Sequence, residues 1–199
     1  METKVVILKA LVVFGALGVA PGFAETVAEP SSTTATYGNW VVSCAVPAGA
    51  AAKVCETTTH LSVKGQDGAV HPLLQVAIGM PPGGTSLRVV MQVPGDVALR
   101  APVRLSLDKA APDPAANTAA KTAAKTAAPQ DELVSASYFT CQPGGCLADA
   151  DLAGVALARL LAAKSANVTF TAVAGAKQIV VPVSLEGFAD AIAALGLGK

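Results

Sequence analysis

Four cysteines, two histidines and three of the four arginines are the side chains with the most chemical potential in this 199-residue sequence. Cys44 and Cys55 enclose ten residues, Cys141 and Cys146 enclose four. Paired thiols can bind zinc, exchange electrons or cross-link the chain. Zinc knuckles use closer and more regular spacings, and a thioredoxin-like couple needs Cys-x-x-Cys with a depressed thiol pKa. Neither pattern is present. An even number of cysteines behind an export signal reads as disulfides. Three pairings are possible. Cys44–Cys55 and Cys141–Cys146 are favoured, because each closes a short loop containing proline or glycine, a constraint worth about 2–3 kcal/mol in the chain-entropy view.

His60 and His71 stand on either side of the turn-like Lys64–Gly68 stretch. Brought together across a hairpin they would offer two imidazoles to a metal, and a periplasmic hydrolase or metal-dependent enzyme centred on them is the alternative reading. Surface or strand-edge histidines are the plainer one. No Gly-x-Ser-x-Gly elbow and no Gly-x-x-x-x-Gly-Lys-Ser/Thr phosphate loop occurs. Asp149 and Asp151 are explained by capping a following helix. No catalytic residue, metal or cofactor is therefore expected. Arg88, Arg100 and Arg104 form the candidate binding surface: with a turn near Gly95 they would share the polar face of adjacent strands and suit a carboxylate, phosphate or polysaccharide. A solvated, edge-protecting face competes with that reading. Trp40, the single tryptophan, reads as core packing beside a cysteine strand.

The elements that would position these groups begin with an export signal. Lys4 and Lys9 accompany an apolar run from Val5 to Ala20, Pro21 ends it, and Gly22-Phe23-Ala24 offers small residues for cleavage. Residues 1–24 are expected to be a signal peptide and 25–36 a flexible leader. Removing 1–24 leaves 12 basic and 13 acidic residues of the 14 and 14 in the whole chain. That balance gives no electrostatic case for nucleic acid. A single domain is expected over 37–197, and no later apolar stretch is long enough to span a membrane.

Strands are expected at Trp40–Cys44, Val54–Val63 and Leu73–Ile78, from their β-branched and aromatic content. Thr85–Val93 and Val97–Asp108 alternate with period two about Pro94-Gly95-Asp96, with Val97, Leu99, Val103, Leu105 and Leu107 inward and Ser106 outward. Residues 110–131 are alanine-rich with prolines at both ends and read as a low-complexity insertion. Order returns at Leu133–Cys141. A helix is expected to run to about Lys164, with Leu152, Val155, Leu160 and Ala163 on one face. A hairpin, Val168–Val173 with Lys177–Leu185, follows. A last helix capped by Ser184 would bury Phe188, Ile192 and Leu195. The fold class is mainly β: a β-sandwich or barrel-like core with two short helices near the C-terminus.

Several of these stretches together resemble the invasion-associated locus B family. They are Tyr37-Gly38-Asn39-Trp40-x-Val42-x-Cys44 followed by Cys55, then Val93-Pro94-Gly95 with Leu99–Asp108. Phe139-x-Cys141, Gly145-Cys146 and Ser184-Leu185-x-Gly187-Phe188 complete the set. The likeness spans roughly Tyr37 to Leu195, and the alanine-rich insertion departs from it. It implies an exported, periplasmic, outer-membrane-associated or secreted protein of bacteria with a β-rich fold and paired cysteines. It implies no catalytic residues. The expected function is that of a cell-envelope accessory or binding protein, with an envelope protein, a glycan or a host-cell surface component as partner and no role for nucleic acid.

Overall fold

The computed structural model describes residues 31–48, 53–65, 67–108 and 130–196. The expected signal peptide, the first half of the leader (25–30) and nearly all of the alanine-rich insertion lie outside the described residues. Ten strands form one antiparallel sheet in the order β1-β2-β3-β4-β5-β8-β7-β6-β9-β10. They are β1 (Ser32–Tyr37), β2 (Trp40–Ala45), β3 (Val54–Lys64), β4 (Val70–Gly79), β5 (Arg88–Val93), β6 (Val103–Asp108), β7 (Gln130–Gln142), β8 (Gly145–Asp151), β9 (Ser165–Thr171) and β10 (Gln178–Ser184). Helix α1 (Gly154–Ala162) joins β8 to β9, and α2 (Phe188–Ala194) follows β10. No helix among the described residues is long and apolar enough to cross a membrane.

The sheet folds over on itself along β7. The first half of this 13-residue strand pairs with β6 and the second half with β8. Alternation then fills the interior: Val76 and Ile78 of β4, Val89 and Met91 of β5, Val103 and Leu105 of β6, Val168 and Phe170 of β9, and Val181 and Val183 of β10 are all buried. Period-two patterning with one face toward a common core is what packs these strands.

The two ends of the roll meet where Tyr37-Gly38-Asn39-Trp40 lies against Ser184-Leu185-Glu186-Gly187-Phe188. The Trp40 indole Nε1–H donates to the Ser184 carbonyl at 3.0 Å, and the Asn39 backbone N–H donates to the Glu186 carbonyl at 3.1 Å. The Asn39 side-chain amide donates to Ser184 Oγ at 2.8 Å. The Trp40 and Phe188 rings pack with centroids 4.8 Å apart. Backbone touches backbone at two glycines with positive φ: a Cβ on Gly38 would sit 2.5 Å from the Glu186 carbonyl oxygen, and one on Gly187 2.1 Å from that of Tyr37. Only glycine meets both the dihedral and the space.

Several expectations are corrected. A strand is already present before Tyr37: Ser32–Thr36 form most of β1, and their hydroxyl-rich composition hid a strand with no buried side. Gln130 and Asp131 belong to β7 and not to the insertion. The segments carrying Arg88 and Arg104 are not a hairpin, since β5 pairs with β4 and β8 while β6 pairs with β7 and β9. Residues 97–102 contribute one bridge, Val97 to Ala172, instead of a strand. Leu99 is consequently 56% exposed, and Ser106, beside a bulge at Leu105/Ser106, is buried. Asp149 and Asp151 lie in β8; α1 starts from Ala153 with no side-chain cap, and Val155 is 76% exposed. Ser184 accepts from the Glu186 N–H but does not cap α2, which starts from Gly187. Phe188, Ile192 and Leu195 are buried as the spacing requires.

Candidate functional site

The helices and the β4–β5 connection border an open cleft. Pro81-Pro82-Gly83-Gly84 turns the chain, with Gly84 N–H bonded to the Pro81 carbonyl at 2.9 Å, and brings Met80 and Leu87 to one wall. Leu87 also binds the far end of β8: its carbonyl accepts from the Leu152 N–H at 2.8 Å. Leu152 and Leu157, from the approach to α1 and from α1 itself, supply a second wall, and Ile192 of α2 a third. Thr85 and Ser86 add exposed hydroxyls. The open volume is about 690 Å³, within the usual range for ligand clefts. Small residues keep it open: a Cβ at Gly154 or Gly196 would meet nothing within 4 Å. Among the described residues no charged side chain lines it. The described lining therefore suits an apolar group, with two hydroxyls as its polar side-chain groups.

The residues singled out from sequence lie elsewhere. His60 faces Gln75 across β3–β4, whereas His71 faces Val63. Three pair positions separate them, about 10 Å at the rise of a strand, and the odd spacing on β3 puts them on opposite faces. His71 Nε2 lies 3.3 Å from Asp67 Oδ2 in an exposed i,i+4 pair. No group of three His, Cys, Asp or Glu side chains that could hold a metal occurs among the described residues.

Arg88 and Arg104 are on β5 and β6, with β8 and β7 between them in the sheet, and Arg100 lies in the turn before β6. The adjacency of β5 and β6 on which their grouping was expected is not found, since β8 and β7 lie between them. Arg88 Nε is 3.0 Å from Asp149 and 3.8 Å from Asp151. Arg104 Nε is 2.9 Å from Glu132. Such half-exposed pairs contribute little to stability, but they supply both guanidinium groups with carboxylates. Arg159 of α1 pairs with Asp131 at the start of β7, and this hydrogen bond raises the arginine pKa.

The cysteines form the disulfides Cys44–Cys55 and Cys141–Cys146. Each joins residues directly opposite one another, across β2–β3 and across β7–β8. In the core, Tyr138 Oη and Thr57 Oγ1 are buried without a hydrogen-bond partner among the described residues. Burial pushes the Tyr138 phenol pKa up. The cleft itself left no local signal in the sequence, since its walls come from residues 80–87, 152–157 and 192–196 and meet only through the fold.

Residues 116–196 match the family profile described as Invasion associated locus B protein. Among solved structures, the crystal structure of invasion associated protein b from Bartonella henselae is similar with a TM-score of 0.59 and 22% identity, over 82% of this chain and 95% of that one. Identity that low speaks for a shared fold. No curated protein matches the chain. The match over residues 116–196, together with that fold, makes the C-terminal part of the chain similar to the invasion associated locus B family.

Proposed function

We propose that this is an exported accessory protein of the bacterial cell envelope that works by binding, with the cleft between α1, α2 and the β4–β5 connection as its site. The observation that carries the reading is that cleft: about 690 Å³, open, walled by Met80, Leu87, Leu152, Leu157 and Ile192, with no charged lining residue among the described ones. Export is supported by the apolar run from Val5 to Ala20 with its small-residue cleavage site and by two disulfides, which persist in oxidising compartments. An apolar cleft without an aromatic lining residue suits leucine-type side chains better than a sugar, which stacks on aromatic faces. The partner favoured is another envelope protein that inserts such side chains.

A photo-crosslinking residue in place of Ser86, in otherwise full-length protein expressed in cells, tests this. The expected result is one discrete adduct that disappears when Leu157→Arg puts a charge into the cleft. An adduct unchanged by Leu157→Arg, or turnover of an envelope substrate by the purified protein, would overturn the proposal.

A further inference from the structure

We propose that the outer edge of β1 is a self-association surface, to which a second copy of this chain adds its own β1 in antiparallel fashion. β1 ends the sheet, and among the described residues only β2 pairs with it. Which of its backbone groups point outward follows from the disulfide beside it. Cys44 and Cys55 are directly opposite with Cα atoms 4.0 Å apart, the narrow spacing of a non-hydrogen-bonded pair. Cys44 and, two residues away, Val42 therefore turn their N–H and C=O groups from β3 toward β1. Their β1 partners, Thr33 and Ala35, bond back to them. The bond from Val46 N–H to the Ser31 carbonyl at 3.0 Å has the same parity. Alternation leaves Ser32, Thr34 and Thr36 with N–H and C=O directed away from the sheet.

Among the described residues the other edge of the sheet is protected, whereas β1 is approached only at its Tyr37 end, by the start of α2. β10 carries Pro182 in its middle, which has no N–H to offer, and its Ser184 carbonyl is occupied by the Trp40 indole at 3.0 Å. β1 has no proline and no charged residue, and Ser32 to Thr36 are exposed. Charge, proline and coverage are the usual means of blocking an edge.

A second β1 is the strand that fits. About a two-fold axis at Thr34, Ser32 faces Thr36 of the second copy, Thr34 faces Thr34 of the second copy, and Thr36 faces Ser32 of the second copy. Every outward N–H then meets an outward C=O. The strand carries no charge, so no like charges are apposed, and threonine pairs are favourable cross-strand neighbours. A two-fold contact closes on itself and makes a dimer, not a fibre. One six-residue strand pair buries less than the roughly 1,200 Å² of a standard interface. The dimer accordingly dissociates on dilution.

The test uses the mature protein with both native disulfides. Hydrogen-bonded pairs bring Cα atoms to about 5.5 Å, within disulfide reach. Under mild oxidation Thr34→Cys is expected to give a covalent dimer, whereas Ala35→Cys, which faces Thr33 of the second copy, is not. Sedimentation velocity from about 10 µM to about 1 mM should show wild-type dimer growing with concentration. Thr34→Pro removes only an outward N–H, so it should keep the wild-type melting curve and weaken dimerisation at least about tenfold. Thr34→Lys places a charge on the same edge and should do likewise if the proline variant folds poorly. A wild type monomeric throughout, equal cross-linking of the two cysteine variants, or undiminished dimerisation in a folded Thr34→Pro or Thr34→Lys would overturn the proposal.

Discussion

Trp40 concentrates the closure of the roll in one side chain, and its replacement can be worked through in steps. The residue is 1% exposed, packs on Phe188 at 4.8 Å and donates to the Ser184 carbonyl at 3.0 Å. Trp40→Phe keeps an aromatic ring but deletes the indole N–H and leaves that carbonyl without this donor, a loss of about 1–3 kcal/mol. Trp40→Ala removes the ring and opens a cavity between the two ends of the sheet, which costs about 3–5 kcal/mol. A whole domain has about 5–15 kcal/mol to lose, so the alanine variant should be folded only marginally. Crossing Trp40→Ala with Phe188→Leu isolates the ring–ring contribution, expected as a coupling of about 0.5–1.5 kcal/mol. Urea unfolding followed by far-UV circular dichroism measures all four proteins on one signal. Trp40 is the only tryptophan, so its fluorescence serves the wild type alone. A Trp40→Ala loss below about 1 kcal/mol, or no coupling to Phe188, would refute the idea that this contact holds the ends together.

Three further outcomes are expected. Gly187→Ala should destabilise by at least about 1–2 kcal/mol from its left-handed backbone alone, with more from the clash of its Cβ with the Tyr37 carbonyl, 2.1 Å away; a thermal melt unchanged from wild type would contradict the close approach. Replacing both members of each disulfide by serine should cost about 2.8 kcal/mol for Cys44–Cys55 and about 2.1 kcal/mol for Cys141–Cys146, from sequence separations of 11 and 5; urea midpoints in the reverse order would refute the loop-entropy account. Burial raises the Tyr138 pKa above its ordinary 10.0, so the neutral phenol is favoured in the folded chain. Above about pH 10 the unfolded chain releases this proton first, and stability falls as pH rises through the folded-state pKa. Tyr138→Phe should flatten that alkaline loss while costing little at neutral pH, where Oη has no partner to forfeit; an alkaline stability profile identical to wild type would exclude Tyr138 as its source.

Elements whose information is local were legible in the sequence. Val54–Val63 and Leu73–Ile78 read as strands because β-branched and apolar residues recur there, and both are strands. The disulfide pairs were legible because each spans a single hairpin. What failed was adjacency. A period of two tells which way a side chain points within a strand but not which strand lies alongside, so β5 and β6 looked like a hairpin about Gly95. In the fold β5 takes β8 as its neighbour, more than fifty residues later. The grouping of Arg88, Arg100 and Arg104 was argued from that adjacency, which the sheet order does not supply. Asp149 and Asp151 were misread because aspartate suits a helix cap as readily as an exposed strand position beside Arg88. β1 was missed for a different reason: with Ser32 to Thr36 exposed on both faces, it has no apolar alternation to detect.

The residues that carry the family likeness do structural work. Tyr37-Gly38-Asn39-Trp40 and Ser184-Leu185-Glu186-Gly187-Phe188 are more than 140 positions apart, yet they form one junction: two indole and amide bonds to Ser184, one backbone bond to Glu186, a ring pair and two glycines that let the backbones touch. The Cys44–Cys55 and Cys141–Cys146 stretches pin two hairpins, β2–β3 and β7–β8, that β4 and β5 separate in the sheet. Every one of these features is explained by closing and holding the sheet, and none requires a ligand. Met80, Ser86 and Leu157, by contrast, lie outside the signature stretches and line the open apolar cleft. A signature made of closure residues specifies a scaffold on which the cleft can change its lining without disturbing the fold. The chemistry that distinguishes this chain from a relative of the same architecture is therefore to be sought in the β4–β5 connection and the facing sides of the two helices.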